Sequence, residues 1–107
     1  MKIKTLDLIA KIWLDKPNGN RYFTAQLTIN YQLKGEKTFY MPFDKCMNES
    51  YEYEAVKVLM REGLISKEYE GRNLWTVCRD ENIIKRVTKY ENCKRKEVEA
   101  WSKKESD

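Results

Sequence analysis

Two runs of alternating residues flank a turn, and together they commit the first third of the chain to β-structure. In residues 5–14, TLDLIAKIWL, Leu6, Leu8, Ala10, Ile12 and Leu14 fall on one face of a strand, and Asp7, Ile9, Lys11 and Trp13 on the other. Period two with one face wholly apolar describes a strand buried on one side. Residues 15–20, DKPNGN, supply a reversal, because Pro17 presets φ and Asn18-Gly19 tolerates the positive φ of a tight turn. Alternation resumes over residues 21–33. Phe23, Ala25, Leu27, Ile29, Tyr31 and Leu33 face one way; Tyr22, Thr24, Gln26, Thr28 and Asn30 face the other. Lys34-Gly35-Glu36 breaks the run. Residues 37–43, KTFYMPF, make a third strand, and Pro42, lacking an N–H, belongs at its end or on an edge. Connections this short exclude parallel crossovers, so the three strands predict an antiparallel meander.

Beyond residue 44 the period changes. A helix is predicted from about Glu49 to Glu62, entered through Asn48 or Ser50 as a cap, with Ala55, Val56, Leu59 and Met60 as its apolar stripe and Gly63 as its stop. Residues 73–80 read either as a strand or as a short helix. Asn73 as a cap, with Leu74, Val77 and Cys78 on one side, favours the helix. Residues 83–90, IIKRVTKY, are β-branched and alternate, which predicts a last strand. Residues 93–104 predict a short helix or an extended tail anchored by Val98, Ala100 and Trp101. Three cations at its start oppose the helix dipole. The predicted fold class is therefore α+β, in the order β-β-β-α-α-β, with the helices on one face of the sheet. At 107 residues the chain is the size of one domain, 1–107, carrying a basic tail at about 92–107.

Composition narrows the chemistry. Histidine is absent, which removes the commonest general acid/base and the usual partner of a Ser or Cys nucleophile. The three cysteines, Cys46, Cys78 and Cys93, form no CxxC pair, so neither a disulfide framework nor a zinc site is expected. No GxGxxG or P-loop pattern occurs among the four glycines. These absences lead us to expect a non-enzymatic chain with no cofactor. No stretch of about 18 apolar residues occurs, so no membrane span is expected, and the N-terminus lacks the apolar core of a secretory signal. A cytoplasmic location follows as the expectation. Thirteen aromatics argue for an ordered chain.

Four segments, NGNRYFTAQLTIN, FYMPF, YEYEAVKVL and NLWTVCRDENI, resemble a set of small α+β proteins encoded by bacteriophages and prophages. Asn18, Gly19, Asn20, Tyr22 and Phe23 match that family's NGNxY hairpin. Pro42, Phe43 and Tyr51 match its PF…Y segment, and Trp75, Cys78, Glu81 and Ile83 its LWxxCxEN segment. Lys94, Arg95, Lys96 and Val98 follow its basic tail more loosely. The resemblance spans roughly residues 9–100. Asp44-Lys45-Cys46-Met47-Asn48 stands where the family carries a glycine-tyrosine core. The resemblance supports a helix over 73–81 and implies an accessory protein acting inside an infected or lysogenic bacterium.

The function expected is docking on another protein, such as a host enzyme or a defence component of the CRISPR type. Tyr and Trp favour such contacts. The candidate surface is Tyr22, Thr24 and Gln26 with Tyr40, Asp44 and Met47; a homodimer through a sheet edge is a further candidate partnership. The alternative is nucleic-acid binding. Residues 84–104 carry eight Lys/Arg against three Glu, and Lys85, Arg86, Lys89, Lys94, Arg95 and Lys96 could neutralise phosphates while Trp101 stacks on bases. A third reading is sequestration of a small ligand.

Overall fold

The protein is an α+β fold, seen here in a computed structural model that describes residues 2–45 and 50–105, the last five of these by backbone alone. Its elements are β1 (Thr5–Asp15), β2 (Asn20–Ile29), β3 (Lys37–Lys45), α1 (Ser50–Arg61), a 3-10 turn (Lys67–Tyr69), α2 (Leu74–Asp80), β4 (Ile84–Tyr90) and α3 (Arg95–Glu105). The first three strands form the expected antiparallel meander, with Ile12 opposite Phe23 and Leu27 opposite Phe39. Between β1 and β2 only Gly19 takes positive φ, at 69°, and its N–H donates to the Asp15 carbonyl at 2.7 Å. The reversal is thus a four-residue loop rather than a two-residue Asn-Gly turn.

Three features differ from the expectation. First, β2 stops at Ile29. Asn30 turns left-handed at φ 53°, and Tyr31 and Leu33, which continue the alternation, lie exposed in the loop. Second, the sheet is not antiparallel throughout. Its order is β3-β2-β1-β4, with β4 parallel to β1. An up-down-up meander leaves the chain at the end of β3; α1 and α2 carry it back across β2 and β1, so the next strand starts from the same end as β1. Third, the helices do not share one face. α1 and α2 cover one side, whereas α3 is a formed helix lying against β3 and β2 on the other.

The core lies between the sheet and α1–α2. Leu6, Leu8, Ala10 and Ile12 of β1 and Phe23, Ala25, Leu27 and Ile29 of β2 pack there against Tyr51, Ala55, Val56 and Leu59 of α1 and Leu74, Val77 and Cys78 of α2. Tyr51 meets Phe23 edge-on, ring centroids 6.0 Å apart. The stripe predicted for α1 is buried except that Val58 takes the place of Met60, which is half-buried. Asn48, Glu49 and Cys46 lie outside the described residues. Residues 73–80 resolve as helix: the Asn73 side chain accepts from the Thr76 N–H at 2.8 Å, and Leu74, Val77 and Cys78 turn inward.

Both packed helices end in the same way. After α1, Gly63 sits at φ 71°, its N–H donates to the Met60 carbonyl and that of Leu64 to the Leu59 carbonyl; Asn82 and Ile83 repeat the pattern after α2. This satisfies carbonyls that a helix end otherwise leaves bare. A Cβ on Gly63 would meet open space, so Gly63→Ala is charged with backbone strain alone. It should lower stability by about 1 kcal/mol, read as a lower midpoint in chemical denaturation with an unchanged slope.

Candidate protein-binding surface

The sheet face away from the core begins as an aromatic stack. Trp13 and Tyr22 are cross-strand partners with ring centroids 5.4 Å apart, and Tyr22 stacks on Phe43 at 5.1 Å. Phe43 reaches the stack because β3 is irregular there. The register slips between Phe23 and Ala25, so Pro42 and Phe43 together stand where Thr24 would have one partner. A bulge on an edge strand accommodates the missing proline N–H.

α3 lies over this stack. Its first turn is stabilised despite the local cations, because Glu97 accepts from the Lys94 N–H at 3.1 Å and Glu99 from Arg95 Nε at 2.6 Å. The Glu99 carboxylate also raises the Arg95 pKa. The Arg95 guanidinium sits 5.3 Å from the Trp13 ring centre, within cation–π range. Val98 is fully buried, yet stands apart from the main core cluster.

Consequently the surface expected from sequence is divided. Tyr22 is half-buried in the stack. Thr24 has no exposed surface and its hydroxyl finds no partner among the described residues, so it is closed to another molecule as the face stands. Gln26 and Tyr40 pair across β2 and β3 and remain half-exposed. Asp44 is exposed near the end of β3. Met47 lies outside the described residues.

The other half of this face is uncovered. A hollow of about 390 Å3 is lined by Asp7, Ile9, Gln26, Thr28, Arg86 and Thr88, among others. Asp7 stands opposite Arg86 across β1 and β4 and accepts from its Nε at 2.9 Å, and Thr28 and Thr38 share a hydrogen bond at 3.1 Å. The hollow opens beside β4, whose Ile84 and Tyr90, on the same face, are 69% and 53% exposed. Sequence reasoning placed Arg86 among phosphate-binding cations and did not connect it with Asp7. The alternation of residues 83–90 put Ile84, Arg86, Thr88 and Tyr90 on one face, but only the register of β4 on β1 brings Arg86 and Thr88 to this hollow.

The basic residues do not form one exposed patch. Lys85 Nζ lies 3.7 Å from Glu52, Arg86 is held by Asp7 and Arg95 by Glu99. Lys89, Lys94 and Lys96 are exposed, and position 101 falls within α3. The residues that match the LWxxCxEN segment take up different positions. Cys78 and Ile83 belong to the core. Glu81 accepts from the Tyr69 hydroxyl at 2.8 Å, which pushes that phenol up to about 12. Trp75 is exposed under the Arg79 guanidinium.

Burial pushes the Cys78 thiol up to about 11, leaving it protonated and unreactive at neutral pH. Cys93 is only half-buried and donates to the Tyr90 carbonyl. In a Cys46→Ser background a maleimide should therefore modify Cys93 in the native protein and Cys78 only after denaturant is added, as peptide mass mapping would read. Among the described residues no three Cys, Asp or Glu side chains gather closely enough to hold a metal ion, and no helix is long and apolar enough to cross a membrane. Compared with known proteins, the chain matches no family model, no curated protein and no solved structure.

Proposed function

We propose that this chain is a non-enzymatic accessory module of the kind bacteriophages and prophages encode, acting in the cytoplasm of a bacterial host by occupying a surface of another protein. A host enzyme or a component of a defence system is the class of target. The observation that carries this reading is the uncovered half of the second sheet face, where Gln26, Tyr40 and the Asp7–Arg86 pair adjoin an edge strand with exposed Ile84 and Tyr90. Large apolar and aromatic groups gathered beside a few oriented polar ones suit a protein contact. The resemblance to phage proteins in the hairpin and LWxxC segments supplies the setting. Nucleic-acid binding is the weaker reading, because three of the six cations it needs are engaged by carboxylates.

Affinity capture from a nuclease-treated bacterial lysate tests the proposal, followed by titration against the purified captured protein. One partner held in fixed stoichiometry is expected, weakened about tenfold or more by combined Gln26→Ala and Tyr40→Ala. Capture that disappears with nuclease, or that falls steeply with salt and is lost on replacing Lys94 and Lys96, would move the function to nucleic acid.

A further inference from the structure

The outer edge of β4 presents a defined row of backbone groups. The Ile84 N–H donates to the Lys4 carbonyl at 3.0 Å, which turns the backbone of Ile84 toward β1. Alternate residues of a strand turn the same way, so Arg86 and Thr88 also address β1 while Lys85, Val87 and Lys89 direct their N–H and C=O groups away from it. β4 is the last strand in the order β3-β2-β1-β4, so no strand among the described residues pairs with that outer row. The strand is seven residues long, carries no acidic residue, and has a lysine on either side of Val87 at the outward positions. Edges are kept from pairing by shortness, bulges, proline or charge, lysine above all, and on β4 that guard is its lysines alone, a charge that an acidic strand would neutralise. β3 has both a bulge and Pro42, whereas β4 is regular along its whole register with β1.

From this row we infer that β4 is a docking edge for an extended acidic segment of a partner protein, which adds to the sheet as a fifth strand with one carboxylate opposite the exposed Lys89, a second sharing Lys85 with Glu52, and an apolar residue opposite Val87. The inference rests on the protein-binding reading and names the chemistry of the partner. Charge selects against a second copy of this chain: the full-length antiparallel pairing of two β4 strands, centred on Val87, sets Lys85 against Lys89 twice, and like charges directly opposite oppose pairing. On the second face the added strand would extend the hollow of Asp7, Arg86 and Thr88 and cover Ile84 and Tyr90, the most exposed apolar side chains of the strand.

The blocked peptide Thr-Glu-Thr-Val-Thr-Glu-Thr tests this against Thr-Lys-Thr-Val-Thr-Lys-Thr, both sequences reading the same in either direction of docking. Binding to the full chain is followed by NMR titration and amide hydrogen exchange. The glutamate peptide is expected to bind at least about tenfold more tightly, and to protect the amides of Lys85, Val87 and Lys89 selectively. Val87→Pro, which removes an outward N–H and none that bonds β1, should abolish binding. The exposed Lys89→Glu should remove the preference between the peptides, and it keeps the question open to refutation should the proline variant not fold. Equal affinity for the two peptides, no selective protection, or protection that rises with protein concentration in the absence of peptide would overturn the inference, the last by assigning the edge to a second copy. A partner captured from lysate that still binds the folded Val87→Pro protein would overturn β4 as its seat while leaving protein binding intact.

Discussion

Asn30→Ala is expected to remove about 2–4 kcal/mol of stability and to release β4 before the rest of the sheet. Asn30 is buried at φ 53°, a conformation asparagine tolerates better than alanine. Its Oδ1 accepts from the Lys4 N–H at 2.7 Å and, at a longer 3.4 Å, from that of Thr5; its Nδ2 donates to the Lys2 carbonyl at 3.1 Å. One side chain therefore holds the segment that enters β1. The Lys4 carbonyl in turn receives the Ile84 N–H, so the first rung of the β1–β4 ladder hangs on the same anchor. Alanine leaves part-buried backbone groups unpaired, at about 1–3 kcal/mol, and adds about 1 kcal/mol for the left-handed backbone. Denaturant titration measures the sum, and hydrogen exchange at Ile84 measures where it falls. Asn30→Gly should recover the backbone share of about 1 kcal/mol and none of the hydrogen bonding. An alanine variant as stable as the parent protein would show that the side chain anchors nothing.

The same residue marks where the sequence stopped being legible. Alternation alone carries β2 on through Tyr31 and Leu33, because an apolar residue at every second position looks alike in a strand and in the loop that follows it. The stop is made by a left-handed asparagine whose partners lie at Lys2 and Lys4, near the other end of the hairpin. The meander, α1 and α2 were legible because each carries its own period, cap or stop within a few residues, as Asn73 and Gly63 do. The orientation of β4 was not, since the strand's alternation is the same whether it runs parallel or antiparallel. Its place beside β1 follows from the route of the crossover.

Much of the candidate surface was legible as a face and illegible as a surface. Tyr22, Thr24 and Gln26 do share one side of β2, and Tyr40 joins them across the β2–β3 ladder. What lies over the Tyr22 end of that face is α3, a segment whose charges give a weak helix signal and whose one fully buried described side chain is Val98. Nothing local announces that a valine in so polar a run will be buried where α3 packs on β1, β2 and β3. The Asp7–Arg86 pair was hidden for a related reason: its partners stand 79 positions apart and meet only through the parallel register.

Val98→Asp should detach α3 while leaving the sheet and its principal core folded. An isolated helix of 11 residues is marginal in water, so α3 persists by docking, through Val98 and through the Arg95 guanidinium on Trp13. A carboxylate in the place of Val98 would lose that burial and would have to be desolvated; about 3 kcal/mol or more against docking is the expected scale. The core between the sheet and α1–α2 does not include Val98, so the penalty falls on the helix. Circular dichroism should lose about one α3 of helical signal while the main unfolding transition stays cooperative. In a Trp75→Phe, Trp101→Phe background, emission from Trp13 should shift to the red. Val98→Ala should give a partial form of the same change. If the whole chain unfolds instead, α3 is part of the cooperative core and not a cover. The detached state also separates two modes of binding, because it joins Tyr22 and the uncovered Thr24 to Gln26 and Tyr40 in one continuous surface. A partner that recognises this surface would bind the Val98→Asp variant more tightly than the parent protein, by the work no longer needed to lift the helix. A partner seated on the β4 edge would bind both equally, since α3 packs on β3, β2 and β1 and the outer row of β4 lies at the far edge of the sheet.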